Sequence, residues 1–177
     1  YDLDTICFRF ANVYGPRQSI RGEGGVVSIF MSRILKNEPL IIHGNGEQTR
    51  DFVYVEDVAD AIYRASYSSL TGIYNLSTNT QTSVNSLVEN LQTMVEINDV
   101  KFVDSRQGDI EHSRLSNEKI TRALDWAPKY DMKDGLQKTV EWFQFELPAN
   151  ETHGKKVKES SQLLKTYKHF RAYIENL

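Results

Sequence analysis

Between Asp4 and Phe143, short apolar runs suited to strands alternate with runs of helical spacing, and only short links join them. No other feature of the sequence narrows the fold as far. Elements of two periods in strict alternation imply an α/β or α+β arrangement. The strand-like runs are 4–10, Leu40–Ile42, Phe52–Val55, Ile73–Leu76 and Val100–Val103. Cys7 falls in the first of these and reads as a small buried core residue. Helical spacing covers Val26–Leu35, through Val26, Ile29, Phe30 and Ile34. It returns over Asp57–Tyr67, with Val58, Ala61, Ile62 and Ala65 on one face. Ser83 is placed to cap a third helix carrying Val84, Leu87, Leu91, Met94 and Val95. Ser116 does the same for a short helix with Ile120 and Leu124. Asp131 and Asp134 have capping-box spacing ahead of Leu136, Val140 and Phe143.

The net charge of -3 argues against a general nucleic-acid binder, which draws its affinity from phosphate neutralisation, but leaves room for a local anion pocket. Cys7 is the only cysteine, so no intrachain disulfide forms. No signal peptide and no apolar run of ~18 residues is present, so the expectation is a cytoplasmic chain with no membrane partner. After Pro148 the composition turns polar and lysine-rich and reads as a linker over 148–162. From Leu163 to Leu177 apolar residues recur at 163, 164, 167, 170, 173 and 174, an amphipathic helix. Such a helix either docks, giving a homodimer, or packs on its own domain. The chain opens on Tyr1, one step ahead of a strand, and is expected to be a fragment of a longer protein.

The glycines of H-G-N-G-E-Q-T (43–49) invite comparison with a dinucleotide loop, but Thr49 stands where the third glycine belongs. A strand-like run follows, not a helix, so no helix N-terminus is there to receive a pyrophosphate. The stretch reads instead as an Asn45-Gly46 turn of the hairpin kind between two short strands. Arg50 comes next, and Arg106 lies in a second loop with Gly108 and Asp109. A guanidinium holds phosphate oxygens through paired charge-assisted hydrogen bonds, and a carboxylate accepts sugar hydroxyls. The alternative is a surface ion pair for each arginine, Arg50 with Asp51 for instance. Asn12 ends the first strand before a Gly-Pro break, where ligands of parallel sheets gather, though a turn-forming asparagine fits as well. Asp109 and His112 make half a metal site, with no further His or Cys at ligand spacing. His112 beside Ser113 lacks the G-x-S-x-G of a hydrolase nucleophile.

Four stretches in order carry a more specific signal: RFANVYGPRQ (9–18), GGVVSIFMSRILKNEPLIIHGNGEQTRDFVYVEDVADAI (24–62), GIYNLSTNTQTSV (72–84) and RQGDIEHSRLSNEKITRALDWAPKYDMKDGLQKTVEWF (106–143). Together they resemble the C-terminal half of the extended short-chain dehydrogenase/reductases, the NAD-dependent nucleotide-sugar epimerases and dehydratases. The resemblance spans about residues 3–145. It implies an α/β fold, the C-terminal part of a Rossmann-type sheet plus the smaller α/β substrate-binding domain. Residues 1–18 would be the terminal part of the Rossmann domain. Residues 19–147 would be mainly the nucleotide-sugar substrate-binding region, with returning Rossmann elements.

The resemblance also implies roles. Asn12 is expected at the phosphates of the sugar nucleotide, with Gly24, Gly25 and Val26 close to the nucleotide at a helix start. Ile42 and His43 are expected at the base, Arg50 and Arg106 at the diphosphate, and Asp109 at the ribose. Phe52 stands where some epimerases carry tyrosine, and so does Ser113. Ala11 and Val13 would flank the nicotinamide of NAD. A UDP-hexose is the favoured partner and 4-epimerisation the favoured reaction. Rival readings are a 4,6-dehydratase or decarboxylase on the same scaffold, and a non-catalytic nucleotide-sugar module. The family's G-x-x-G-x-x-G loop and its Y-x-x-x-K pair occur nowhere in this sequence, so the chain is expected to supply no catalytic residue and not to turn over alone.

Overall fold

The computed structural model describes residues 3–19 and 24–151, with side chains as far as Phe145. Residues 1–144 form one compact unit. Of the second unit, 145–177, only the continuation of one helix to Glu151 is described.

Eight strands and five helices occur in the order β1 (Ile6–Phe10), β2 (Asn12–Tyr14), α1 (Val26–Leu35), β3 (Leu40–His43), β4 (Thr49–Arg50), β5 (Phe52–Tyr54), α2 (Val55–Ser66), β6 (Gly72–Leu76), β7 (Thr82–Ser83), α3 (Val84–Gln92), β8 (Val100–Val103), α4 (Glu118–Leu124) and α5 (Met132–Glu151). The strands pair in twos. β1 lies parallel to β6, β2 to β5 and β3 to β8, while β4 and β7 are antiparallel. Parallel pairs separated by helical segments follow from the alternation in the sequence, since a parallel partner requires a crossover.

Three sequence expectations about local order hold closely. α1 has the expected bounds. Ser83 caps α3, its Oγ accepting from Ser86 N at 3.0 Å. Asp131 caps α5, accepting from Asp134 N at 2.8 Å. The cap of α4 is Asn117, with no side-chain cap bond, although Ser116 Oγ does accept from Glu118 N. α2 starts at Val55, two residues early, because β5 ends where its buried run turns. α5 runs through Pro148 to Glu151, so the first residues of the expected linker are helical. The expected helix at 163–177 lies outside the described residues.

One core gathers Val53, Val58, Ala61, Tyr74, Leu76, Ile120 and Trp126, with Ile6, Phe8, Ala11 and Val13 packed against it. Each such side chain withdrawn from water contributes ~1.5–3 kcal/mol. Trp126 is 1% exposed and its indole N–H donates to Asp57 O at 3.2 Å. Asp57 in turn accepts from Lys129 N and Tyr130 N, which ties the approach to α5 onto α2.

The first strand is less buried than its composition predicts. Ile6 and Phe8 are half-buried, whereas Phe10 is 49% exposed and Cys7 is exposed. Cys7 is therefore not a core residue here. The cause is topological: β1 has a strand on one edge only, and its Cys7 face carries no covering layer among the described residues. Ile29 and Ile62, counted on the apolar faces of α1 and α2, are also exposed, each at 43%.

Candidate functional site

The site grows from the G-N-G turn. Gly44 and Gly46 have φ of 75° and 79°, a region closed to most side chains. Between them Asn45 Oδ1 accepts from Glu47 N at 3.0 Å, an Asx turn. The expected turn is present, but it is not a hairpin. β3 on one side pairs with β8, and β4 on the other pairs with β7. A hairpin needs antiparallel neighbours, and β3 spends its edge on a parallel one.

That pairing matters for the site. β3 and β8 run parallel in register, His43 opposite Val103, so the chain leaves both strands at the same end. Gly44 N donates to Val103 O at 2.9 Å. The loop after β8 then returns to β4, where Thr49 N donates to Glu111 O and Ser113 N to Thr49 O. Thr49 Oγ1 and His112 Nδ1 are 3.0 Å apart. Two loops far apart in sequence are thereby stitched together, and their polar side chains meet. Arg50 Nη2 donates to Asp109 Oδ1 at 3.0 Å, and Arg106 Nη2 to His43 Nε2 at 3.0 Å.

Asp51 does not pair with Arg50, whose ion pair is made with Asp109 instead. Asp51 is 1% exposed and accepts from Thr78 N, Thr78 Oγ1, Asn79 N and Leu115 N, at 2.8–3.3 Å. Its own carbonyl accepts from Asn12 N at 2.8 Å and Asn12 Nδ2 at 3.1 Å. Asn12 is thus tied to the residue next to Arg50, with its amide oxygen left for another donor. Beyond it, Gln18 Nε2 donates to Val13 O at 3.0 Å. The same amide lies against Gly25, where an added Cβ would come within 3.0 Å of it. This places the start of α1, Gly24 to Val26, beside β2. The N–H groups of the first α1 turn have no acceptor inside the helix and suit an anion.

Most of the expected residues therefore fall into two linked groups. Ala11, Asn12, Val13 and Gly24–Val26 form one, and His43, Arg50, Arg106 and Asp109 the other. Ile42 and Phe52 stand apart, at 1% and 4% exposure. Ile42 is a core side chain, and Phe52 packs edge-on against the Tyr14 ring at 6.2 Å between centroids. Neither side chain offers a surface to a ligand, because β5 is buried along its whole length and β3 at alternate positions. Asp51, Gln18 and Gln48 were not singled out in the sequence. Gln48 Nε2 holds His43 O at 2.7 Å. A carboxylate directly before the apolar run Phe52–Val55 was the available sign for Asp51.

Residues 1–77 match the model of the NAD dependent epimerase/dehydratase family. A UDP-glucose 4-epimerase of Mycolicibacterium smegmatis is 40% identical over 146 residues, 81% of this chain and 47% of that protein. By these two matches the chain resembles the NAD dependent epimerase/dehydratase family. The fold agrees. The crystal structure of UDP-glucose 4-epimerase from Thermotoga maritima with UDP-glucose superposes with a TM-score of 0.76 at 40% identity, over 81% of this chain and 47% of that one. The Thermus thermophilus UDP-glucose 4-epimerase in complex with NAD superposes with a TM-score of 0.75 at 36% identity, over 83% and 49%. The chain spans about half the length of the curated relatives it matches. The mixed α/β fold with parallel strand pairs is therefore of the Rossmann type seen in these neighbours. No helix among the described residues is long and apolar enough to cross a membrane. Among the same residues no cluster of three or more His, Cys, Asp or Glu side chains is arranged to hold a metal ion.

Proposed function

We propose that this chain is the nucleotide-sugar-binding part of an NAD-dependent epimerase acting on a UDP-hexose, with 4-epimerisation as the reaction of the whole enzyme. The observation that carries the reading is the meeting of Arg50, Arg106, Asp109 and His43 on two loops stitched beside β4. Two guanidinium groups there match a diphosphate, and the carboxylate matches sugar hydroxyls. Asn12 and the N-terminus of α1 add neutral donors, so charge is met by hydrogen bonds as well as by counter-charge. That relatives with 40% identity are UDP-glucose 4-epimerases supports the choice of sugar nucleotide and reaction.

NAD fits in part. Ala11 and Val13 are apolar and half-exposed where β1 leads into β2, a wall suited to a flat ring. NAD supplies hydride acceptance and return, which interconverts a sugar alcohol and its ketone. The phosphates of the cofactor need a glycine-rich loop that this sequence does not contain. The present residues contribute binding far from the reacting carbon, and that binding orients the sugar.

Calorimetric titration of the chain with UDP-glucose, UDP-N-acetylglucosamine, dTDP-glucose and GDP-mannose, with NAD as control, tests the reading. UDP-glucose is expected to bind without NAD. Preference for a non-uridine nucleotide would overturn the UDP assignment, and absence of all binding would remove the site.

A further inference from the structure

His43 sits between two groups whose chemistry dictates its protonation. A guanidinium only donates hydrogen bonds, so His43 Nε2, 3.0 Å from Arg106 Nη2, must accept. A peptide carbonyl only accepts, so His43 Nδ1, 3.2 Å from Asp104 O, must carry the proton. The two contacts together select one form of the ring, neutral and protonated at Nδ1. The charged neighbours are few. Arg106 and the Asp104 carbonyl meet the ring from the loop after β8, and Glu47 on its own turn accepts from Asn85 Nδ2 at 2.6 Å. Arg50 is already engaged by Asp109.

We infer that His43 is a positioning residue that keeps Arg106 parked while it is neutral and releases it on protonation. A proton added to the ring has only Nε2 to occupy. The lone pair that accepts from Arg106 is then replaced by an N–H, and two cations face each other at hydrogen-bond distance. Arg106 leaves, and its fork is free for an anion. Histidine is the side chain that ordinarily makes this change between pH 5 and 8. The role of the freed arginine in ligand binding rests on the nucleotide-sugar reading; the parking itself does not.

The parking is tested without ligand by the 15N resonances of the His43 ring at about pH 8, where histidine is ordinarily neutral. A single Nδ1–H tautomer in the wild type, lost to a mixture of both in Arg106→Ala, is the expected result. A mixture already in the wild type overturns the inference. Release is tested by calorimetry with UDP-glucose, whose diphosphate diester carries constant charge over the range. Affinity is expected to strengthen as the pH is lowered far enough to protonate the ring, which the same 15N resonances report. His43→Gln, which keeps an acceptor but cannot titrate, should remain flat. Equal pH dependence in both proteins overturns the release. Absence of binding at every pH, with the single tautomer present, would sink the nucleotide-sugar reading and sustain the parking.

Discussion

At the scale of single residues, three positions have separable jobs. Arg50 holds a ligand or it does not. Arg50→Ala is expected to weaken UDP-glucose binding by ~1.5–3 kcal/mol, the range for a hydrogen bond to a charged group. Unchanged affinity in a folded variant would make its pairing with Asp109 a surface ion pair alone. Asp51 holds the fold. Asp51→Ala strands three backbone donors, Thr78 N, Asn79 N and Leu115 N. Each orphan costs ~1–3 kcal/mol, so stability should drop by at least ~3 kcal/mol in a urea titration. Gly135 lies inside α5 with an ordinary helical role, yet a Cβ there would fall on the Tyr14 hydroxyl and press the Tyr54 ring. Alanine gains up to ~1 kcal/mol of helix propensity but meets ~1–3 kcal/mol of overpacking. Gly135→Ala should therefore destabilise, and Tyr14→Phe in the same protein should restore part of the loss. Additive effects in that double-mutant cycle would remove the proposed contact.

At the scale of elements, a tyrosine junction joins β2, β5 and α5. Tyr14 and Tyr54 are buried and their rings meet at 5.6 Å, with the Tyr130 ring tilted against Tyr54 at 4.6 Å. Burial, then the neighbouring Tyr54 hydroxyl, pushes Tyr14 upward. Burial, then the Glu56 carboxylate, does the same to Tyr54. The Tyr130 hydroxyl donates to Glu56 Oε2 at 2.5 Å, and this bond, with burial second, raises it to about 12. The sign follows from which state holds its protons longer. Unfolded tyrosines ionise near pH ~10, while the folded ones keep their protons above that, so their contribution is intact below ~10 and is lost as pH rises towards 12. Alkaline unfolding should begin above pH ~10, and stability should fall less steeply with rising pH in Tyr130→Phe. Identical alkaline midpoints and slopes in the two proteins would exclude Tyr130 from the effect.

At the scale of the whole molecule, the open side of β1 is the feature with most consequence. A parallel sheet is ordinarily covered on both faces, and the Cys7 face is bare among the described residues. Cys7 is therefore expected to react with a soluble disulfide reagent at nearly the rate of the denatured chain. Strong protection in the native state would mean that another layer covers β1, whether a second copy or a further segment.

Sequence and tertiary structure divided the decisions between them. The alternation of periods was enough for the α/β class, the bounds of α1, the Ser83 cap and the Asp131 cap, because these depend on neighbours within one turn. The ordered motifs were enough for the family resemblance, because their spacing records one chain threading. Burial was not legible at Cys7, Ile29 or Ile62, since a side chain's neighbours come from whichever layer is present. Nor was the partner of Arg50: residue 51 is adjacent in sequence but points into the core, while Asp109 arrives through the parallel register of β3 and β8. Sequence adjacency sets what a residue is able to bond; only the pairing of distant strands decides which of those bonds it makes.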